Sequence, residues 1–82
     1  MDFELFHSIG DSGSARVRKA ITDWGLESAV RFRNVTYPEV QQDLVARGGE
    51  TAPALWDGTR LITGADAVIS RLTAFRDVGR EG

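Results

Sequence analysis

Apolar and polar positions change period several times along this chain, and each change marks a boundary. Phe3, Leu5 and His7 alternate with Glu4, Phe6 and Ser8, and both sets carry apolar residues, the pattern of a strand buried on two sides. A central strand is expected there. From Ser14 to about Trp24 the apolar residues Val17, Ala20, Ile21 and Trp24 recur at helical steps, with Arg16, Arg18, Lys19, Thr22 and Asp23 opposite. Gly25 is a natural stop for that helix. Val30, Phe32 and Asn34 then alternate with Arg31, Arg33 and Val35, which suits a second strand partly exposed near a sheet edge.

The segment TYPEVQQDLVARGG opens with Thr36 three residues before Glu39, a capping-box spacing, and carries Pro38 where a first helical turn tolerates it. Val40, Leu44 and Val45 supply its expected buried stripe, and Gly48 and Gly49 end it. TAPALWDGTRLIT reads as two short antiparallel strands around Asp57-Gly58, a two-residue hairpin signal. Thr63 and Asp66 form a second capping-type pair ahead of Val68, Ile69, Leu72 and Phe75, which share one helical stripe. Residues 76–82 read as a frayed tail. The order is βαβαββα, and the expected product is a four-stranded mixed sheet with helices on both faces.

Composition narrows the function classes. The chain has 82 residues, enough for one small domain over residues 1–82. Apolar residues make up 41% and charged residues 27%, a globular balance. The net charge of -2 and the dispersal of the arginines argue against nucleic acid as a partner. With no cysteine, disulfides, thiolate metal sites and thiol redox chemistry are excluded. No apolar run is long enough for a bilayer and MDFEL lacks a signal-peptide pattern, so the expectation is a cytoplasmic protein without a membrane partner.

The stretch HSIGDSGSARVRKA, residues 7–20, is the most suggestive piece of local chemistry. Its glycines and serines could let backbone N–H groups converge on an anion, a hydroxyl could serve as nucleophile, or Asp-Ser-Gly-Ser could simply cap the helix. No carboxylates gather at metal-ligand spacing. His7 lies on an inward-facing strand, where a packed histidine is expected rather than a catalytic base. Trp24 and Trp56 read as core or groove residues, with Trp56, beside the hairpin, the better candidate for a contact surface.

The stretch TAPALWDGTRLITGADAVISRL resembles the Thr-x-Pro segment, hairpin and final helix of the thioredoxin-fold domains found in glutaredoxins and in the amino-terminal half of glutathione S-transferases. The resemblance covers roughly residues 3 to 75. It implies that Pro53 is a cis proline, that Ala52 docks a ligand through its backbone, and that the start of the last helix, with Asp66, receives the γ-glutamyl part of glutathione. Asp66 as a cap of its own helix is the competing reading. Gly64-Ala65-Asp66 departs from the transferases' Thr-Glu-Ser-like pattern and is closer to the Gly-x-Asp of glutaredoxins. Arg47 corresponds to basic residues that hold a terminal carboxylate in glutaredoxins, against the reading of a solvated helix end.

In that register Asp11 and Ser14 stand at the first and last positions of the family's Cys-x-x-Cys motif. A carboxylate forms no disulfide and an unactivated hydroxyl stays protonated, so exchange chemistry and cysteine-held iron-sulfur clusters are lost. The resemblance thus implies a cysteine-less glutaredoxin-like domain that binds a peptide, a glutathione-like ligand or a protein partner. Asp11 would be a fixed anion where the family keeps a thiolate, with Ser12 or Ser14 satisfying exposed N–H groups, and no cofactor would be required. The alternative is a serine-type glutathione-binding or transferase-like module. Ser12 followed by Arg16-Val17-Arg18 is similar to the Ser-x-x-x-Arg-Val-Arg of transferases that activate glutathione's thiol with a hydroxyl.

Overall fold

The strand β1 (Phe3–His7) carries apolar side chains on both faces and is flanked on both edges, in parallel by β2 (Val30–Asn34) and in antiparallel by β3 (Ala54–Trp56). β3 turns back into β4 (Leu61–Thr63), giving a mixed sheet in the order β2-β1-β3-β4. In this computed structural model, which describes residues 2–81, three helices complete the fold: α1 (Ser12–Asp23), α2 (Pro38–Ala46) and α3 (Ala65–Glu81). The architecture is α/β, a four-stranded mixed sheet with three helices, in the order expected from the sequence.

Side-chain alternation along β1 divides the core into two layers. Phe3 and Leu5, with Val30 and Leu55, pack under Val17 and Ile21 of α1 and Val68 and Leu72 of α3. Phe6 and Ala54 point the other way and meet Leu44 of α2. The edge Phe3–Phe75 ring contact, at 4.9 Å and nearly perpendicular, fastens the middle of α3 to the first strand.

Several boundaries differ from the sequence pattern. α1 starts at Ser12, two residues ahead of Ser14, because the Asp11 carboxylate accepts the Ser14 N–H at 2.6 Å and so caps the helix from outside. Its end is as expected: Gly25 takes φ +66°, and the Leu26 N–H reaches back to the Ile21 carbonyl at 2.9 Å. The Thr36/Glu39 capping box does not form. Tyr37 is the N-cap of α2 with no side-chain bond, while Asn34 uses its side chain to hold the Thr36 N–H. Val45 faces solvent at 56% exposure, and Leu44 is the one fully buried residue of that helix. Phe32 is also exposed, at the free edge of β2.

The hairpin loop spans residues 57–60 rather than Asp57-Gly58 alone, because the Asp57 carboxylate gathers the N–H groups of Thr59 and Arg60, each at 2.9 Å. Thr63 stays in β4, and the first α3 hydrogen bond runs from the Val68 N–H to the Gly64 carbonyl, so the Thr63/Asp66 pair is not a cap. α3 continues through Glu81 where a frayed tail was expected. The extra turns are anchored by Arg76, whose guanidinium lies 4.3 Å from the Trp24 ring centroid.

Candidate functional site

The loop from β1 to α1 is organised by its own side chains. Ser14 is fully buried, and its hydroxyl accepts the Ser8 N–H at 3.1 Å. The Ser8 carbonyl in turn accepts from Asp11 N–H and from the Arg18 guanidinium, at 3.3 and 3.0 Å. Asp11 returns the link by accepting from Ser14 N–H, so the three residues fix one loop geometry. Ser14 therefore faces inward as part of the loop's frame, whereas Ser12, the first residue of α1, is exposed. The Ala15 N–H bonds to the Asp11 carbonyl at 3.0 Å, and among the described residues the amides of Ser12 and Gly13 form no hydrogen bond within the chain. Those two amides and the helix dipole give the α1 terminus its positive potential, with the Asp11 carboxylate already seated against it.

The segment before β3 meets this helix end. The Ala52–Pro53 bond is cis, Pro53 is buried, and its carbonyl accepts the Gly64 N–H at 3.1 Å. A Cβ placed on Gly13 would stand 3.2 Å from Asp11 Oδ2, 3.3 Å from Pro53 Cδ and 3.5 Å from Ala65 Cβ. The α1 terminus, the proline and the α3 terminus thus border one small space, in which a side chain at position 13 would make two tight contacts, with Asp11 and Pro53, and one ordinary contact with Ala65. Ala52 is half-buried, and its backbone forms no hydrogen bond within the chain among the described residues.

Asp66 sits on the rim. Its carboxylate is 91% exposed and meets Arg16 of α1 at 2.8 Å, so it ties the two helix starts together instead of capping α3. A pair this exposed contributes little to stability, roughly 0–1 kcal/mol, and leaves both charges open to exchange partners. The sequence marked Arg16 as part of the Arg-Val-Arg resemblance and not as a partner of Asp66.

Arg47 lies elsewhere. It caps the C-terminus of α2 and bonds inward to Glu4 at 2.6 Å and to Asp43 at 3.3 Å, with its guanidinium near the rings of Phe6 and Trp56. Arg33 completes the cluster with bonds to the same two carboxylates, at 2.6 and 3.0 Å. Two cations and two anions close on themselves over the Phe6 ring, on the α2 side of the sheet, and Arg47 is neither a solvated helix end nor grouped with Asp11 and Pro53. Trp56 is covered by Arg47 in the same way. The available signals were Glu4, an acid on a strand otherwise apolar, and the helical spacing of Asp43 and Arg47.

His7 is buried, with its ring edge-on to Phe32 and Nδ1 3.2 Å from the Arg18 guanidinium. Burial and the neighbouring cation both hold its pKa below the ordinary value. It packs in the core-facing position expected of it. Among the described residues no group of histidine and carboxylate side chains could hold a metal ion, and no helix is long and apolar enough to cross a membrane. No protein-family model and no curated protein matches the chain.

Proposed function

We propose that this chain is a cysteine-less, glutaredoxin-like domain of thioredoxin fold that has no thiol-disulfide activity and binds an extended peptide, a glutathione-like ligand or a protein partner beside Pro53. The observation that carries the reading is the shared space at Gly13, bounded by Asp11, Pro53 and the start of α3. The four-stranded mixed sheet and its three helices agree with that fold. The Ala52 backbone, which has no hydrogen-bond partner among the described residues, offers a donor and an acceptor to an extended segment, and the Arg16/Asp66 pair offers both signs of charge at the rim. Asp11 holds a carboxylate against the helix end, where the resemblance puts a thiolate.

Titration of the isotope-labelled chain with reduced glutathione and, separately, with an extended peptide tests this. Chemical-shift changes concentrated at Ala52, Gly13 and Asp66 support it, and spectra unchanged at those residues with both ligands remove it. The serine-type transferase reading draws on the exposed Ser12, but the adjacent Asp11 charge opposes a thiolate there. Conjugation of glutathione to a reactive aromatic halide at equal rates with and without the protein would end that reading.

A further inference from the structure

The buried His7 ring and the loop that sets Asp11 share one nitrogen. The same Arg18 guanidinium nitrogen lies 3.2 Å from His7 Nδ1 and donates to the Ser8 carbonyl at 3.0 Å. An arginine only donates, so Nδ1 must be the bare, accepting nitrogen and the neutral ring carries its proton on Nε2. Ser8 is the hinge of the loop: its carbonyl also takes the Asp11 N–H and its own N–H goes to the Ser14 hydroxyl.

The groups facing the ring leave no outlet for a second charge. From α1 the charged neighbour is Arg18. From β2 the ring meets Phe32, and its register partner is Asn34, neither of which carries charge. Within β1 the acidic Glu4 belongs to the opposite face and is bound by Arg33 and Arg47. No carboxylate among the described residues is bonded to the ring. A proton taken from solvent onto Nδ1 would put a donor against a donor and a cation against a cation at 3.2 Å.

We propose that His7 and Arg18 form a proton-operated latch on the loop at residues 8–11: protonation of His7 expels the Arg18 guanidinium, frees the Ser8 carbonyl and lets the segment leading to Asp11 move. The sheet and the core under α1 stay in place. The device is a property of the loop itself and stands whether or not the space beside Pro53 takes a ligand.

The test is a titration of the labelled protein from about pH 7.5 to about pH 5, followed at the His7 ring and at the backbone amides. The ring midpoint falls below 6.5, the ordinary value, and the amides of Ser8, Ile9, Gly10 and Asp11 shift with that same midpoint. In His7→Gln these amides stop responding over that range. In Arg18→Gln the ring midpoint rises and the loop no longer follows it. Loop amides that stay fixed while the ring titrates in the unaltered protein overturn the proposal. So do loop amides that titrate unchanged in His7→Gln. Loss of amide protection at Leu5 and Leu55 at the ring's midpoint also overturns it, because the event is then global unfolding and not a local latch.

Discussion

Glu4 and Arg47 are separated by 43 positions in sequence and joined by a 2.6 Å hydrogen bond between β1 and the end of α2. The bond is part of a closed set in which Glu4 and Asp43 each meet both Arg33 and Arg47. Each member is at most one-third exposed, so removing one leaves the others with charges that water compensates only in part. Glu4→Ala is expected to destabilise the protein by about 2–3 kcal/mol, more than a surface pair would. Urea denaturation measures it, and a loss near that of an exposed residue would show that the cluster is solvated in solution.

Acid should weaken the fold in stages. Burial and Arg18 hold His7 below its ordinary 6.5, so the unfolded chain takes up a proton that the folded chain resists, and stability falls as pH drops through and below 6.5. Burial raises the Glu4 pKa, but the hydrogen bonds from Arg47 and Arg33 outweigh it and leave the group below 4.5. Its contribution is complete above that pH and fades beneath it. Backbone hydrogen bonds from Arg60 and Thr59 hold Asp57 at about 2 against an ordinary 3.8, so its contribution disappears between those values. Urea midpoints measured from neutral to acid pH should decline throughout. His7→Gln should flatten the upper stage and Asp57→Asn the lowest, and a profile level from pH 7 to 5 would contradict the first assignment.

The local periods that placed seven strands and helices in order were sufficient because the main elements bury apolar residues at their own period, as Val17 and Ile21 do in α1 and Val68 and Leu72 in α3. Pro53 was reached through resemblance and Asp11 both through resemblance and as part of a local capping segment, and the space they share depends on tertiary approach at Gly13. What stayed hidden were choices between equivalent local partners. Asp66 could cap or bridge, and only the approach of α1 brings Arg16 to it. Val45 and Leu44 are both apolar neighbours on α2, and sheet position alone decides that Leu44 is buried. Arg47 is indistinguishable from a solvated basic residue until β1 presents Glu4.

Gly49 is tightly packed against two leucine side chains. A Cβ there would lie 2.5 Å from Leu44 Cδ1 and 2.7 Å from Leu61 Cδ2, and Leu44 is fully buried with little room to turn away. Gly49→Ala should cost about 1–3 kcal/mol through overpacking, even though alanine restricts the unfolded chain more than glycine. Gly48, one residue earlier, has φ +95° with open space around it, so alanine there is strained by backbone conformation alone. Thermal melts separate the two cases when Leu44→Ala is combined with each: the smaller residue at position 44 should relieve the cost at Gly49 and leave that at Gly48 unchanged.

Asp11 combines two properties that substitution can separate, a hydrogen-bond acceptor for Ser14 N–H and a negative charge at a helix start. Asp11→Ala removes both and should lower stability by about 1 kcal/mol, the usual cost of a lost N-cap. Asp11→Asn keeps an acceptor in the same place, so it should stay within about 0.5 kcal/mol of the unaltered protein. Ligand titrations on this second variant then report on the charge alone. If the carboxylate serves only as a cap, the shifts at Ala52 and Asp66 should be the same in both proteins. If it meets the ligand, they should change in Asp11→Asn while the thermal midpoint holds, a division that a loosened helix could not produce.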